Sequence, residues 1–311
     1  MAKANADASA LLDKHAAAPA VADKFASQNR LDAKSQSSLA SVVNGERLEQ
    51  FLHSCNARER VRVQSLCGFG AMAMFYAIPS CPELQVLPRF MPIIIAFVLG
   101  SPFPLQQPPT CICKRGTVLD DDGVHLMSCA ANGRIQTHND VQLVLAELAR
   151  EASHSVTETH NLAYVHPNSA SKPDLNIHTR LRHGRDNYVD VTLPYPLSQS
   201  HMSKNSEPLA AAASAAAAKV EKHGAAVAEF NGRFWPFAVE AFGSFGVEAR
   251  ELFDKLVDEI PREEFVAPNW AALSPRAYWK QAFSVALYAG HAKSMLILLK
   301  KALNNRPLAK L

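Results

Sequence analysis

The stretch Lys172-Pro173-Asp174-Leu175-Asn176-Ile177-His178 and the later run Asn187-Tyr188-Val189-Asp190-Val191-Thr192 decide how this chain is read. Both have the composition of short strands, spanning roughly 174–179 and 187–193. Between them, His183-Gly184-Arg185-Asp186-Asn187 supplies turn chemistry suited to a hairpin. Alternation along the second strand puts Tyr188, Asp190 and Thr192 on one face and Val189 and Val191 on the other. An aspartate inside a valine-rich strand runs against strand preference and asks for a reason. If the two strands pair, Asp174 and Asp190 meet at one end of the hairpin. Two carboxylates so placed repel, and a divalent cation is the natural relief. Mg²⁺ held there would polarise a phosphate, activate water and stabilise a leaving oxygen.

Working outward, residues 138–153 carry Val141, Val144, Leu145 and Leu148 at helical spacing. Residues 155–164 read as a further strand. After the hairpin, an alanine-rich helix begins near Glu207-Pro208 and runs to about Gly224, with Lys219 and Lys222 three apart on it. A strand at 233–240, a helix at 246–259 and an amphipathic helix at 276–303 follow, Gly290 being a candidate break in the last. The order αβββαβ plus a C-terminal helix defines an α+β protein. Lys222 or Lys219 would supply a cation to the acidic pair, and Glu147 or Glu151 a third carboxylate. Trp235 and Phe237, on a covered strand, read as core.

Upstream, Cys111-x-Cys113, His125 and Cys129 form a Cys-Cys-His-Cys set, with Asp120-Asp121-Asp122-Gly123 turning the chain back toward the cysteine pair. Four soft or borderline ligands at this spacing suit tetrahedral Zn²⁺, and a loop so small needs such a staple to fold. All four positions are filled by protein, so the zinc reads as structural.

The chain has 311 residues, 48% of them hydrophobic, and a net charge of +3. Its longest apolar run, Met91–Leu99, is shorter than the ~20 residues a membrane span needs, and no secretory signal is legible at the start. Neither a membrane nor a secreted protein is therefore expected. Residues 1–42 read as a mobile arm and 43–110 as a helical linker broken by Pro79, Pro82, Pro88 and Pro92. The knuckle occupies 111–133, the αβββαβ core 134–262 and a basic helical extension 263–311. From Arg276 onward there are seven Lys or Arg and no acidic residue.

At these residues the sequence resembles the region downstream of the reverse transcriptase in site-specific non-LTR retrotransposon polyproteins. That region joins a Cys-Cys-His-Cys knuckle to a restriction-like nuclease of the PD-(D/E)xK superfamily. The knuckle is matched by Cys111, Cys113, His125 and Cys129, and an Arg-His-Asn element by Arg134 and His138-Asn139, with Thr137 before the histidine. Lys172-Pro173-Asp174 matches the next motif, with Asp190 as the following acid and Asp186 as its rival. Arg58 to Arg62 with Gly68, Gly70 and Pro79 resembles the preceding linker. Thr192 stands where the superfamily has its lysine, which is why that role is carried to Lys222 and Lys219. No Tyr-x-Asp-Asp motif occurs; a reverse transcriptase, if one is a partner, would be supplied in trans.

The resemblance implies a nuclear, metal-dependent DNA endonuclease with structural Zn²⁺ and catalytic Mg²⁺ on Asp174 and Asp190. DNA, with RNA as the alternative, would be gripped by Arg134, His138, Asn139 and Lys172. Two other readings stand beside it: a nucleic-acid-binding remnant of the same fold without chemistry, and a helical interaction protein.

Overall fold

The computed structural model describes residues 33–103, 110–113, 116–120, 123–158, 172–178, 184–203, 207–229 and 231–304. The chain divides into two compact units, one ending at Arg60 and one beginning at Val61. The first contains helix α1 (Ala33–Ser54); the expected arm is thus helical from residue 33, and residues 1–32 lie outside the described residues. Helix α2 (Ala57–Leu66) leads into the second unit.

That unit is mixed helix and sheet. Prolines 82 and 88 each open a 3₁₀ turn, and Pro92 sits in the first turn of α3 (Met91–Leu99), where its missing N–H costs nothing. The knuckle carries the short helix α4 (Val124–Ser128). Then come α5 (Arg134–Glu151), β1 (Ser155–Glu158), β2 (Leu175–His178), β3 (Asn187–Thr192), a short α6 (Gln199–Met202), α7 (Ala210–Glu229), β4 (Arg233–Ala238), α8 (Val247–Asp258) and α9 (Pro275–Asn304). The expected order is present. Residues 159–164 of the first strand and 179–183 of the turn lie outside the described residues.

The four strands form one sheet in the order β1-β2-β3-β4, antiparallel except for the parallel pair β3–β4. Period-2 alternation sends Leu175, Ile177, Val189, Val191, Trp235 and Phe237 to one face, where they are 0–4% exposed. Val141, Leu145 and Leu148 of α5, Leu252, Phe253 and Leu256 of α8, and Trp279, Phe283 and Leu287 of α9 close over them. On the other face, α7 lies against β3 and β4 through Ala212 and Ala216 on Ala238 and through Val227 on Tyr188. Small side chains let this helix approach closely, and alanine is also the best helix former.

A second apolar cluster joins Ile94 and Phe97 of α3, Leu126 and Met127 of the knuckle, and Tyr288, Met295 and Leu298 of α9. Helix α9 is long and apolar enough to cross a membrane by length and composition, but 72% of its apolar window is buried within the protein. It is a core element, not an appended extension. Nor does Gly290 break it. A Cβ there would stand 2.8 Å from Thr137 Cγ2 and 3.1 Å from Thr137 Cα, so the glycine permits two helices to touch.

Candidate metal and nuclease centre

The knuckle is built by its turns. The Cys111 N–H donates to the Thr117 carbonyl and the Gly116 N–H to the Cys113 carbonyl, while Gly123 takes a φ of +70° to start α4. Asp120 caps that helix, accepting from the backbone N–H of Val124 at 2.6 Å and of His125 at 2.7 Å. Cys111 Sγ lies 3.7 Å from Cys129 Sγ, and Cys113 Sγ lies 3.6 Å from His125 Nε2. Ligands of a tetrahedral zinc, with Zn–S near 2.3 Å, stand roughly 3.8 Å apart. All four ligand atoms fall within 4.8 Å of one another, so the residues fit a metal ion. Backbone N–H groups of Cys113 and Ala131 point at the Cys111 and Cys129 sulfurs, the kind of outer support that holds thiolate charge. Burial pushes the Cys111 thiol up to about 11 when no cation stands beside it.

The acidic pair is set by strand register. Leu175 pairs with Val189, and one step further brings Asp174 opposite Asp190. Asp190 is 3% exposed, and two side chains of α7 one turn apart engage it. Lys219 Nζ lies 2.7 Å from Oδ1, and His223 Nε2 lies 2.7 Å from Oδ2. Asp174 accepts from the Val191 N–H at 2.7 Å and faces His138 Nε2 at 3.0 Å. His138 also lies near the Val191 carbonyl at 3.1 Å and Asn139 Oδ1 at 3.3 Å. Acceptors at both ring nitrogens favour the protonated ring. His138, Asp174 and Asp190 present ligand atoms within 4.8 Å of one another.

The electrostatics separate the two carboxylates. Burial raises Asp174, but the hydrogen bond and charge of His138 outweigh it and leave the carboxyl below its ordinary value. Asp190 is raised, first by burial and then by the charge of Asp174, against the pull of Lys219. The Asp174 hydrogen bond raises His138. Burial, then the charges of Lys222 and Lys219, push His223 down to about 4 and keep it neutral.

Of the two candidate lysines, Lys219 makes the ion pair, while Lys222 is exposed. Glu147 and Glu151 are both exposed, Glu151 at the far end of α5; the residue α5 contributes is His138, more than two turns earlier. Asp186 is engaged with His178 Nδ1 at 2.9 Å and Asn176, leaving Asp190 as the partner of Asp174. His178 ends β2 and bonds Thr157 Oγ1 at 2.8 Å. Arg134, Asn139 and Lys172 are exposed around the centre. His223 escaped the sequence reading. Its only signal was the i, i+4 spacing from Lys219, which means little until the helix is known to lie on β3.

No family model matches this sequence, and no curated protein matches it either.

Proposed function

We propose that the chain is a metal-dependent DNA endonuclease with a restriction-like core, of retrotransposon origin. The supporting observation is the cross-strand pair Asp174 and Asp190 with the Lys219 ammonium 2.7 Å from Asp190. Two carboxylates that can hold a divalent cation, with one adjacent fixed cation, suit metal-assisted phosphodiester hydrolysis. Hydrolysis forms a bond from a water oxygen to phosphorus and breaks the bond to the leaving oxygen. A divalent cation on Asp174 and Asp190, with His138 in reach, would polarise the phosphate and make bound water a better nucleophile. Lys219 neutralises charge that builds on the phosphoryl oxygens. His223, neutral and buried, stands beside the Asp190 carboxylate without adding charge, whereas His138, favoured in its protonated form, sets a positive charge against Asp174. The Cys-Cys-His-Cys group would hold zinc as a structural staple, since protein fills all four positions. Arg134 and Lys172 would grip backbone phosphates, so affinity should fall steeply with salt.

A binding-only remnant is favoured by one observation, Thr192 in the strand position where a lysine is expected. Plasmid nicking separates the two readings. Purified protein is given supercoiled DNA with Mg²⁺ or Mn²⁺, beside Asp174→Ala and a chelated control. Metal-dependent nicking lost in the variant supports the nuclease; salt-sensitive binding without nicking supports the remnant.

A further inference from the structure

A cavity of about 400 Å³ opens beside the carboxylate pair and shares His138, Val191 and Lys219 with that site. Its lining is chemically divided. Arg134 and Lys219 bring positive charge; Ile135, Leu193 and Tyr195 bring apolar surface; and His291 of α9 adds one buried polar group. His291 is 3% exposed, and neither ring nitrogen has a hydrogen-bond partner. The Ala241 backbone is near enough to favour its charged form slightly, but not with hydrogen-bond geometry. Burial, and after it the charge of Arg134, push the ring down to about 3, so it is neutral. A neutral imidazole offers one donor and one acceptor, and leaving both unmet inside a protein is costly.

A ligand that suits this lining has an anionic group for the two cations, flat apolar faces for the walls and a hydrogen-bonding edge for the imidazole. A nucleotide has all three. We propose that the cavity receives one nucleobase of the bound DNA strand, turned out of its stack, with the neighbouring phosphate at Arg134 and Lys219 and the base edge at His291. This rests on the nuclease reading and names how that site would choose its substrate. A base inside a duplex cannot present its edge and both faces to a protein cavity. Sites with an unpaired or easily unstacked base would therefore be preferred.

The test uses oligonucleotides carrying 2-aminopurine at successive positions, bound to the full chain with Ca²⁺ so that the strand stays uncut. Complex formation is followed independently by fluorescence anisotropy. The expected result is a several-fold brightening at one position in the wild type, lost in His291→Phe and in Ile135→Tyr. The first variant replaces the polar edge with an apolar ring. The second adds bulk at a residue that is 75% exposed, so it tests the cavity even if the buried variant fails to fold. Formed complexes in which no position brightens would overturn the inference and leave the nuclease reading standing. Brightening that survives both variants would also overturn it, placing the unstacked base elsewhere. No complex with any oligonucleotide would sink the nuclease reading itself.

Discussion

Asp174 and Asp190 stand opposite each other across β2 and β3, one step beyond the pairing of Leu175 with Val189. Each has its own basic partner: His138 from α5 for the first, Lys219 from α7 for the second. The sheet thus brings two helices distant in sequence to one pair of carboxylates.

As an ionised carboxylate, buried Asp190 costs stability. Its raised proton affinity means that the folded state disfavours the ionised carboxylate, so its contribution to stability falls as pH rises through the folded value. Asp190→Asn should therefore melt higher at pH 7.5 by a few degrees, about 1 kcal/mol in a domain of this size. The same variant should lose cleavage by roughly a thousandfold, as expected when several kcal/mol of charge stabilisation disappear. Calorimetry beside a nicking assay checks both, and a lower melting temperature would contradict the account.

The His138–Asp174 pair should behave oppositely. His138 has a raised affinity, so its contribution is full below about pH 6.5 and lost as pH rises through the folded value. Asp174 is depressed, so its contribution is present above about pH 3.9 and lost as pH falls through the folded value. With zinc retained and no other divalent ion added, His138→Ala should destabilise most between those limits, by on the order of 1 kcal/mol. Urea unfolding at pH 5.5 and pH 8.5 should show the penalty shrinking at the higher pH.

Lysine substitution discriminates between the two candidates. Lys219→Ala should reduce cleavage by about a hundredfold or more, the usual loss on removing one preorganised charge donor. Lys222→Ala, at an exposed position, should cost far less. Equal losses in single-turnover assays would mean that the ion pair with Asp190 is not what matters.

One zinc per chain is expected by native mass spectrometry. Cys111, Cys129, Leu126 and Met127 belong to the same buried cluster as Phe97 and Tyr288, so stripping the metal should loosen that cluster as well as the knuckle. Cys113→Ser should abolish stoichiometric zinc and lower the melting temperature, with near-ultraviolet dichroism reporting the loss of aromatic packing.

Gly290→Ala should destabilise by about 1–3 kcal/mol, the usual cost of overpacking, although alanine is the better helix former by roughly 1 kcal/mol. The added methyl would meet Thr137 at 2.8 Å. Chemical denaturation measures the sign, and a stabilised variant would show that α5 and α9 can separate cheaply.

The elements themselves were legible because each is written in local periodicity. Val189 and Val191 alternating with Asp190 announce a half-polar strand, the alanine tract announces α7, and four ligand-type residues announce the knuckle. The meeting of Asp174 and Asp190 was legible only on the condition that the two strands pair; the register that sets them opposite each other comes from the structure.

What the sequence alone determined, then, was the order of elements, the Cys-Cys-His-Cys set and the candidacy of two carboxylates, all products of contacts short in sequence or of strict periodicity. Only the tertiary structure decided which side chains attend those carboxylates. Lys219 over Lys222, His223 at all, His138 as the partner of Asp174 and Gly290 as a contact point each depend on how a helix is rotated against the sheet or its neighbour. That rotation is set by packing between segments far apart in the chain, such as α7 on β4 and α9 on α5, and no local pattern encodes it.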